Sequence, residues 1–427
     1  MFQKPIIWLL GATLWYAQAA SAQAPVNGNV ITLNAAIEKA LTESPRLKSA
    51  GSAVLASKGK RLQAGLRPNP EAGIEAENFA GQGPFKRADS AEFTFGVSHQ
   101  FEIGGKRSAR QAAANRAFEI ATYEHQSARL DLIHDVTIAY AEAVAAQEEV
   151  KLAAEQKKLA GEVLESVSKR VTAAAEPLIQ KSKAEVALAT SEIAFSTALR
   201  ELAMARNSLA SLWGQEDGAY SLDASDFLAI QPPAPLMDAA AKLTTTPDIA
   251  RLDAETARAR ANLDLERANA IPDPTVSVGV RDFRETSDQA LMFGVSLPIP
   301  VWNQNQGNIA KALHEASKSE SDKQVMMLDL SNALTRSAQA LQSAYGEAES
   351  LKTIILPAAE KAFSLSRQGY QAGRFPYLEV LDAQRTLFEA RSQYNAALKN
   401  YHIHRAEIER LTAAHGAKIQ PYEEHYE

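Results

Sequence analysis

The side chains of this 427-residue chain that could do chemistry point to electrostatics rather than to bond making. Glu379 and Asp382 lie three residues apart, a spacing that sets both carboxylates on one helix face and concentrates negative charge there. Their counterparts 199 positions earlier are Gln180 and Lys183, so only one of two similar segments carries the acids, and Lys183 opposes part of their field. The plain alternative for such a pair is a solvated helix face. Glu71, Glu75 and Glu77 form a second acidic set, alternating with Ala72, Ile74 and Ala76 as one face of a strand would. Metal ligation is poorly served: His402 and His404 are two apart and diverge on a helix, while His125 and His134 are nine apart, and neither pair has the i, i+4 spacing that suits chelation. Gly104-Gly105-Lys106-Arg107 lacks the first glycine and the Ser/Thr of a phosphate-binding loop. There is no cysteine, hence no thiolate nucleophile and no thiolate metal site, and no Gly-x-Ser-x-Gly. No enzyme activity, cofactor or metal site is expected, and a net charge of −6 argues against a nucleic-acid partner.

These residues must be positioned by elements that occur twice. Arg67-Pro68-Asn69-Pro70 and Ile271-Pro272-Asp273-Pro274 each precede an alternating strand, and Phe95-Gly96-Val97-Ser98 matches Phe293-Gly294-Val295-Ser296. Pro70 and Pro274 sit 204 positions apart, Gly96 and Gly294 198, which marks an internal duplication. In Glu92 to Ile103, Phe93, Phe95, Val97, Phe101 and Ile103 share one face, with His99 among them, while Glu92, Thr94, Gly96, Ser98, Gln100 and Glu102 share the other. Val276, Val278 and Val280 oppose Thr275, Ser277, Gly279 and Arg281, and Leu291, Phe293, Val295, Leu297 and Ile299 oppose Met292, Gly294 and Ser296. Strict period-2 alternation predicts a sheet with one apolar and one polar face. About 10 residues suffice for a tilted strand to cross a bilayer. A soluble sandwich with the apolar face turned inward is the competing architecture, yet no other strand-rich region exists to pack against it.

Each β-hairpin leads into a long Ala-rich helix. From Lys106 to about Val171 no proline intervenes and apolar residues step by three and four; some 65 helical residues would extend roughly 100 Å. Pro177 and Pro376 are placed to restart the chain as a returning helix. Pro357 should kink the second long helix or cost it a hydrogen bond. A plain antiparallel coiled coil would show the same helical pattern. A short helix is expected over Ile31 to Ala40 and another from Pro45 to about Leu66. The N-terminus, with Lys4, the apolar run Ile6 to Leu14 and the small residues Ala20-Ser21-Ala22, reads as a signal peptide. No later segment approaches the roughly 20 apolar residues of a spanning helix. The reading is therefore a signal peptide at 1–22; a first repeat over 23–213 with a β-hairpin at 71–103 and a helical hairpin at 106–212; a connector at 214–247; a second repeat over 248–413 with a β-hairpin at 274–300 and a helical hairpin at 308–413; and a polar tail at 414–427. Such a chain is mainly α, exported, and either soluble or a membrane β-barrel.

A sheet spanning a membrane must close, because an open edge in hydrocarbon leaves backbone groups unpaired. Four strands are too few, since single-chain barrels begin at about 8, so several copies must contribute. Three chains and two chains both satisfy the counting.

Gly369-Tyr370-Gln371-Ala372-Gly373-Arg374-Phe375-Pro376-Tyr377-Leu378-Glu379-Val380-Leu381-Asp382-Ala383-Gln384-Arg385-Thr386-Leu387 closely resembles the second helical hairpin of the TolC-like outer-membrane efflux proteins, and the likeness extends over essentially the whole mature sequence. Phe101 to Arg107 and Leu297 to Gly307 resemble the heavy-metal, cobalt–zinc–cadmium branch. The resemblance implies a homotrimer with a 12-stranded barrel in the outer membrane on a long α-helical periplasmic tube, docked to a periplasmic adaptor and a proton-driven inner-membrane pump. It implies a closed-tip role for Tyr370, a cation-selecting constriction at Glu379 and Asp382, and docking through the hairpin tips, Glu176 and Pro177 in the first and Gly373, Arg374, Phe375 and Pro376 in the second. Phe375 stands where the family has an Arg that helps to latch the tip, with Arg374 one position early. Glu71, Glu75 and Glu77 would line the barrel lumen and keep it wet, with a cation-friendly lumen as the alternative role. Many relatives carry a lipidated Cys; this chain must be held by its barrel alone. The expected function is a passive exit duct of a tripartite efflux system, for metal cations, with drugs, other small molecules or a type I secreted polypeptide as alternative cargo. A periplasmic coiled-coil adaptor is the alternative from a different class.

Overall fold

The computed structural model describes residues 30–216 and 220–416. The expected signal peptide, 1–22, and residues 417–427 of the expected tail lie outside the described residues. A two-residue strand, β1 (Val30–Ile31), precedes helices α1 (Leu33–Glu43) and α2 (Pro45–Ala64). The helix expected from Ile31 thus begins two residues later, because Ile31 is taken into a strand. The Thr32 side chain caps α1 by accepting from the Ala35 N–H at 3.3 Å, and Pro45 opens α2, where its missing N–H costs nothing. Strands β2 (Glu71–Glu77) and β3 (Glu92–Gln100) then lead into α3 (Lys106–Thr172) and its return, α4 (Leu178–Ser211). The connector contains β4 (Ser221–Leu222), α5 (Ser225–Leu228) and α6 (Leu236–Leu243). The second half comprises α7 (Pro247–Asn269), β5 (Thr275–Phe283), β6 (Asp288–Ser296), α8 (Gln306–Ser350), α9 (Leu356–Gln371) and α10 (Tyr377–Leu411). Residues 101–103 and 297–300, expected to continue the strands, carry the chain irregularly into the long helices.

The two halves differ where Pro357 enters. Whereas α3 runs unbroken for 67 residues, a π turn over Leu351–Ile355 separates α8 from α9. This wider turn accommodates the carbonyl that Pro357 cannot bond, so the ladder is relieved one turn before the proline. Pro177 and Pro376 are extended cap residues one position ahead of α4 and α10, not their first helical residues.

All four long strands join one antiparallel sheet, ordered β2-β3-β5-β6. Its register aligns Ile74, Phe95, Val280 and Leu291 in one row and Ala72, Val97, Val278 and Phe293 in another, all on the same face. Among the described residues nothing covers that face: Ile74 is 73%, Phe293 74% and Leu291 84% exposed. The soluble-sandwich architecture is absent from the described residues. Among the described residues, strands β2 and β6 also leave their outer edges without a partner.

Below the sheet the helices lie side by side, α3 against α2, α4, α7 and α10, and α10 against α8 and α9. The largest core is equatorial, where Ile37, Val136, Val144, Leu209, Trp213 and Leu398 are buried together. Strand β1 pairs in parallel with β4 there, and the Tyr140 hydroxyl lies 2.9 Å from the Ile31 carbonyl and 2.8 Å from that of Asp223, fastening the connector to α3. The other end of the connector is tied to α10, where the Tyr401 hydroxyl lies 2.9 Å from the Gln231 carbonyl.

Candidate functional site

The two hairpin turns meet at the end of the helices farthest from the sheet. Tyr370 at the end of α9 and Tyr377 at the start of α10 are 5% and 2% exposed, with ring centroids 6.0 Å apart. From α3, the Arg170 guanidinium lies 4.8 Å from the Tyr370 ring centroid, donates to the Tyr370 carbonyl at 3.4 Å and holds Glu176 with Nε 3.0 Å from Oε1. The Glu176 side chain is only 10% exposed, so this expected docking residue turns inward onto Arg170, which itself reaches Tyr370 of the second hairpin. Burial, then the adjacent Glu176 carboxylate, push the Tyr370 phenol well above its ordinary range, and it stays protonated at any physiological pH. Yet Tyr370 Oη, Glu176 Oε2 and Gln180 Oε1 are buried without an aligned hydrogen-bond partner. A buried polar cluster satisfied only in part is costly to maintain and poised to rearrange.

Pro177, Gly373, Arg374, Phe375 and Pro376 remain on the surface of the tips. Gly373 turns with φ +70°, a left-handed conformation that favours glycine. The Phe375 ring lies directly against Gly369, leaving no room for a Cβ there, while the Arg374 and Phe375 N–H groups donate to the Gly369 carbonyl at 2.8 and 3.3 Å. Gly369→Ala should displace the ring and destabilise the tip by about 1–3 kcal/mol. Hydrogen exchange over residues 369–377 should quicken; an unchanged rate would show that the ring yields without cost.

Glu379 and Asp382 occupy the first two turns of α10 and are exposed. Val380, Gln384 and Leu387 are buried on the opposite side of the helix, so both acids point away from their own subunit's packing. Lys183 lies with Gln384 and Arg385 along a separate groove of about 740 Å3 between α4 and α10, which neither acid lines.

On the polar face of the sheet Glu71 and Glu75 are exposed. Glu77 is not a free carboxylate: Arg281 reaches its Oε2 at 2.8 Å and Glu92 Oε2 at 2.9 Å. His99, on the apolar face, meets the Phe101 ring edge-on at 4.8 Å.

Sequence reasoning missed a clasp where sheet and helices join. Lys106 Nζ lies 2.7 Å from Asp273 Oδ2, with both side chains about nine-tenths buried. Asp273 Oδ1 also accepts from the Ile103 N–H at 2.9 Å. Arg110 grips both Glu102 oxygens, at 2.5 and 3.1 Å, and donates to the Ala64 and Leu66 carbonyls at 2.9 Å. The loop that superficially matched a phosphate site therefore locks the first repeat to the second. One signal was available: Asp273 replaces Asn69 in an otherwise repeated proline motif.

His402 is stacked on Phe227 with Nε2 2.9 Å from its carbonyl, and burial lowers its pKa from the ordinary histidine value. Among the described residues no group of three or more His, Asp and Glu side chains could hold a metal ion, and no helix is long and apolar enough to cross a membrane.

The sequence profile described as "Outer membrane efflux protein" matches residues 36–215 and 241–414. The chain is 32% identical over 382 residues to the cobalt-zinc-cadmium resistance protein CzcC of Cupriavidus metallidurans, covering 89% of this chain and 90% of CzcC. It is 27% identical over 319 residues to the nickel and cobalt resistance protein CnrC of the same organism, covering 75% and 73%. Among solved structures, CusC superposes with a TM-score of 0.76 at 20% identity, covering 92% of this chain and 95% of CusC, and shows the same fold.

Proposed function

The chain belongs to the outer membrane efflux protein family, on its heavy-metal branch, and we propose that three copies form a passive exit duct for metal cations. It is an efflux channel protein and not an enzyme. The observation that carries the reading is the sheet, whose apolar face is uncovered and whose two edges are unpaired among the described residues. In hydrocarbon both liabilities vanish together once edges from neighbouring copies pair and lipid covers the apolar face. Three copies bring 12 strands, enough to enclose a lumen that the polar face, with Glu71, Glu75 and Glu77, keeps wet.

The helices continue that cylinder into the periplasm. Glu379 and Asp382 point away from their own subunit, so threefold symmetry gathers six carboxylates at the mouth, where a ring of this kind admits cations. The contact of Tyr370 with Arg170 and Glu176 holds the two hairpins of a subunit together and keeps that mouth shut. Pro177, Gly373, Arg374, Phe375 and Pro376 offer the exposed tip to a periplasmic adaptor and, through it, to a proton-driven inner-membrane pump. The metals in the names of CzcC and CnrC support divalent transition-metal cations as the cargo. No tight metal site is needed, because a duct must release ions as readily as it takes them.

Reconstitution tests this directly. In lipid nanodiscs, native mass spectrometry should find trimers, and planar bilayers should show ion conductance. Single protomers without conductance would end the case for a duct and favour a periplasmic scaffold.

A further inference from the structure

We propose that Arg281 sets the charge selectivity of the sheet's polar face, which is the barrel lumen if the duct reading above holds. Arg281 stands opposite Thr94 and Glu75 in the strand register, one row from Glu77 and Glu92. Its guanidinium reaches Glu77 at 2.8 Å, Glu92 at 2.9 Å and the Thr94 hydroxyl at 2.9 Å. A single cation from the second hairpin thus ties down carboxylates on both strands of the first. The planar fork of arginine suits this bridging, which a lysine ammonium could not reproduce. The side chain is 22% exposed, so the pairing is partly shielded from water.

The consequence is a division of labour among the acids. Glu77 and Glu92 are half neutralised and immobilised at the end of the sheet near the 78–91 loop, whereas Glu71 and Glu75 stay exposed. These two border a depression of about 400 Å3 floored by Gly73, Gly96 and Gly279 and rimmed by Arg281. Gly279 has no space for a side chain, since a Cβ would come within 2.8 Å of the Phe95 carbonyl oxygen. The floor therefore stays open to the lumen. Glu77, Glu92 and Arg281 together carry a net charge of −1; without the guanidinium the same place carries −2, repeated around the cylinder. Low-dielectric walls focus such fields on passing ions.

The test compares Arg281→Gln with the neutral set Glu77→Gln/Glu92→Gln/Arg281→Gln in planar bilayers under a KCl gradient. Both are also recorded with Glu379→Ala/Asp382→Ala, so that the periplasmic mouth, lying in series, does not mask the barrel. Arg281→Gln should raise the cation-over-anion permeability ratio by about two- to fivefold, and the neutral set should bring it below that of the unaltered protein. Conducting channels whose ratio is unchanged in both would overturn the proposal. Should Arg281→Gln not assemble, the neutral set decides alone by the same reading; loss of assembly in both would assign Arg281 a purely structural role and likewise overturn it. Absence of conductance in the unaltered protein would instead defeat the duct reading, so the two failures are distinguishable.

Discussion

Replacing Glu379 and Asp382 with alanine should collapse the cation preference of the reconstituted channel. A monovalent cation about 6 Å from one carboxylate in water gains roughly 0.7 kcal/mol. Six carboxylates around one mouth, screened over a Debye length of about 10 Å at 0.1 M salt, still amount to about 1–2 kcal/mol, or roughly a tenfold preference. Divalent ions should be favoured more strongly, since the attraction doubles with charge. Reversal potentials under a salt gradient measure this, and the loss should be largest at low ionic strength. Lys183 refines the expectation: because it lies on the flank of α10 with Arg385, Lys183→Gln should shift selectivity in the opposite direction and by less. A double alanine variant whose reversal potential matches the unaltered channel at every salt concentration would remove these two acids from the conduction path.

The second large effect is expected at the clasp between sheet and helices. Lys106→Met leaves the Asp273 carboxylate buried without its cation and should cost about 3–5 kcal/mol. Asp273→Leu should cost a similar amount for the mirror-image reason, whereas the double variant should recover most of the loss. Breaking one side strands a charge; removing both strands none. Thermal dissociation of the detergent-solubilised assembly can follow all three variants, and the coupling energy between the sites is the quantity that decides. Additive losses would mean that the Ile103 N–H and Gln100, which also bond Asp273 at 2.9 and 3.4 Å, carry the carboxylate by themselves.

Much of the architecture was legible in the chain because it is written in local periodicities. Alternation over Glu92 to Gln100 and Thr275 to Phe283 is a strand signal that needs no knowledge of neighbours. The unbroken run after Lys106 is likewise a helix signal, and the duplicated proline motifs show that both come as a repeating unit. The boundaries were less legible. Strand β1 takes Ile31 out of the expected helix only because β4, almost 200 residues away, lies beside it. Two-residue strands have no periodicity to detect. At Pro357 the disturbance was foreseeable but its form was not, since a π turn and a kink relieve the same clash.

Sequence alone determined the elements, their duplication, the two faces of each strand and the acidic pair on one side of α10, because each follows from spacing within about 10 residues. Tertiary structure alone decided which charges are free. Glu77 is claimed by Arg281, Glu176 by Arg170 and Lys106 by Asp273, and in all but the second the partners come from different repeats. Such pairings obey no period: they depend on where long helices and a shared sheet bring distant side chains together. The Coulomb energy that makes them matter falls off over a few ångströms, so only the packed arrangement reveals which acids remain unpaired.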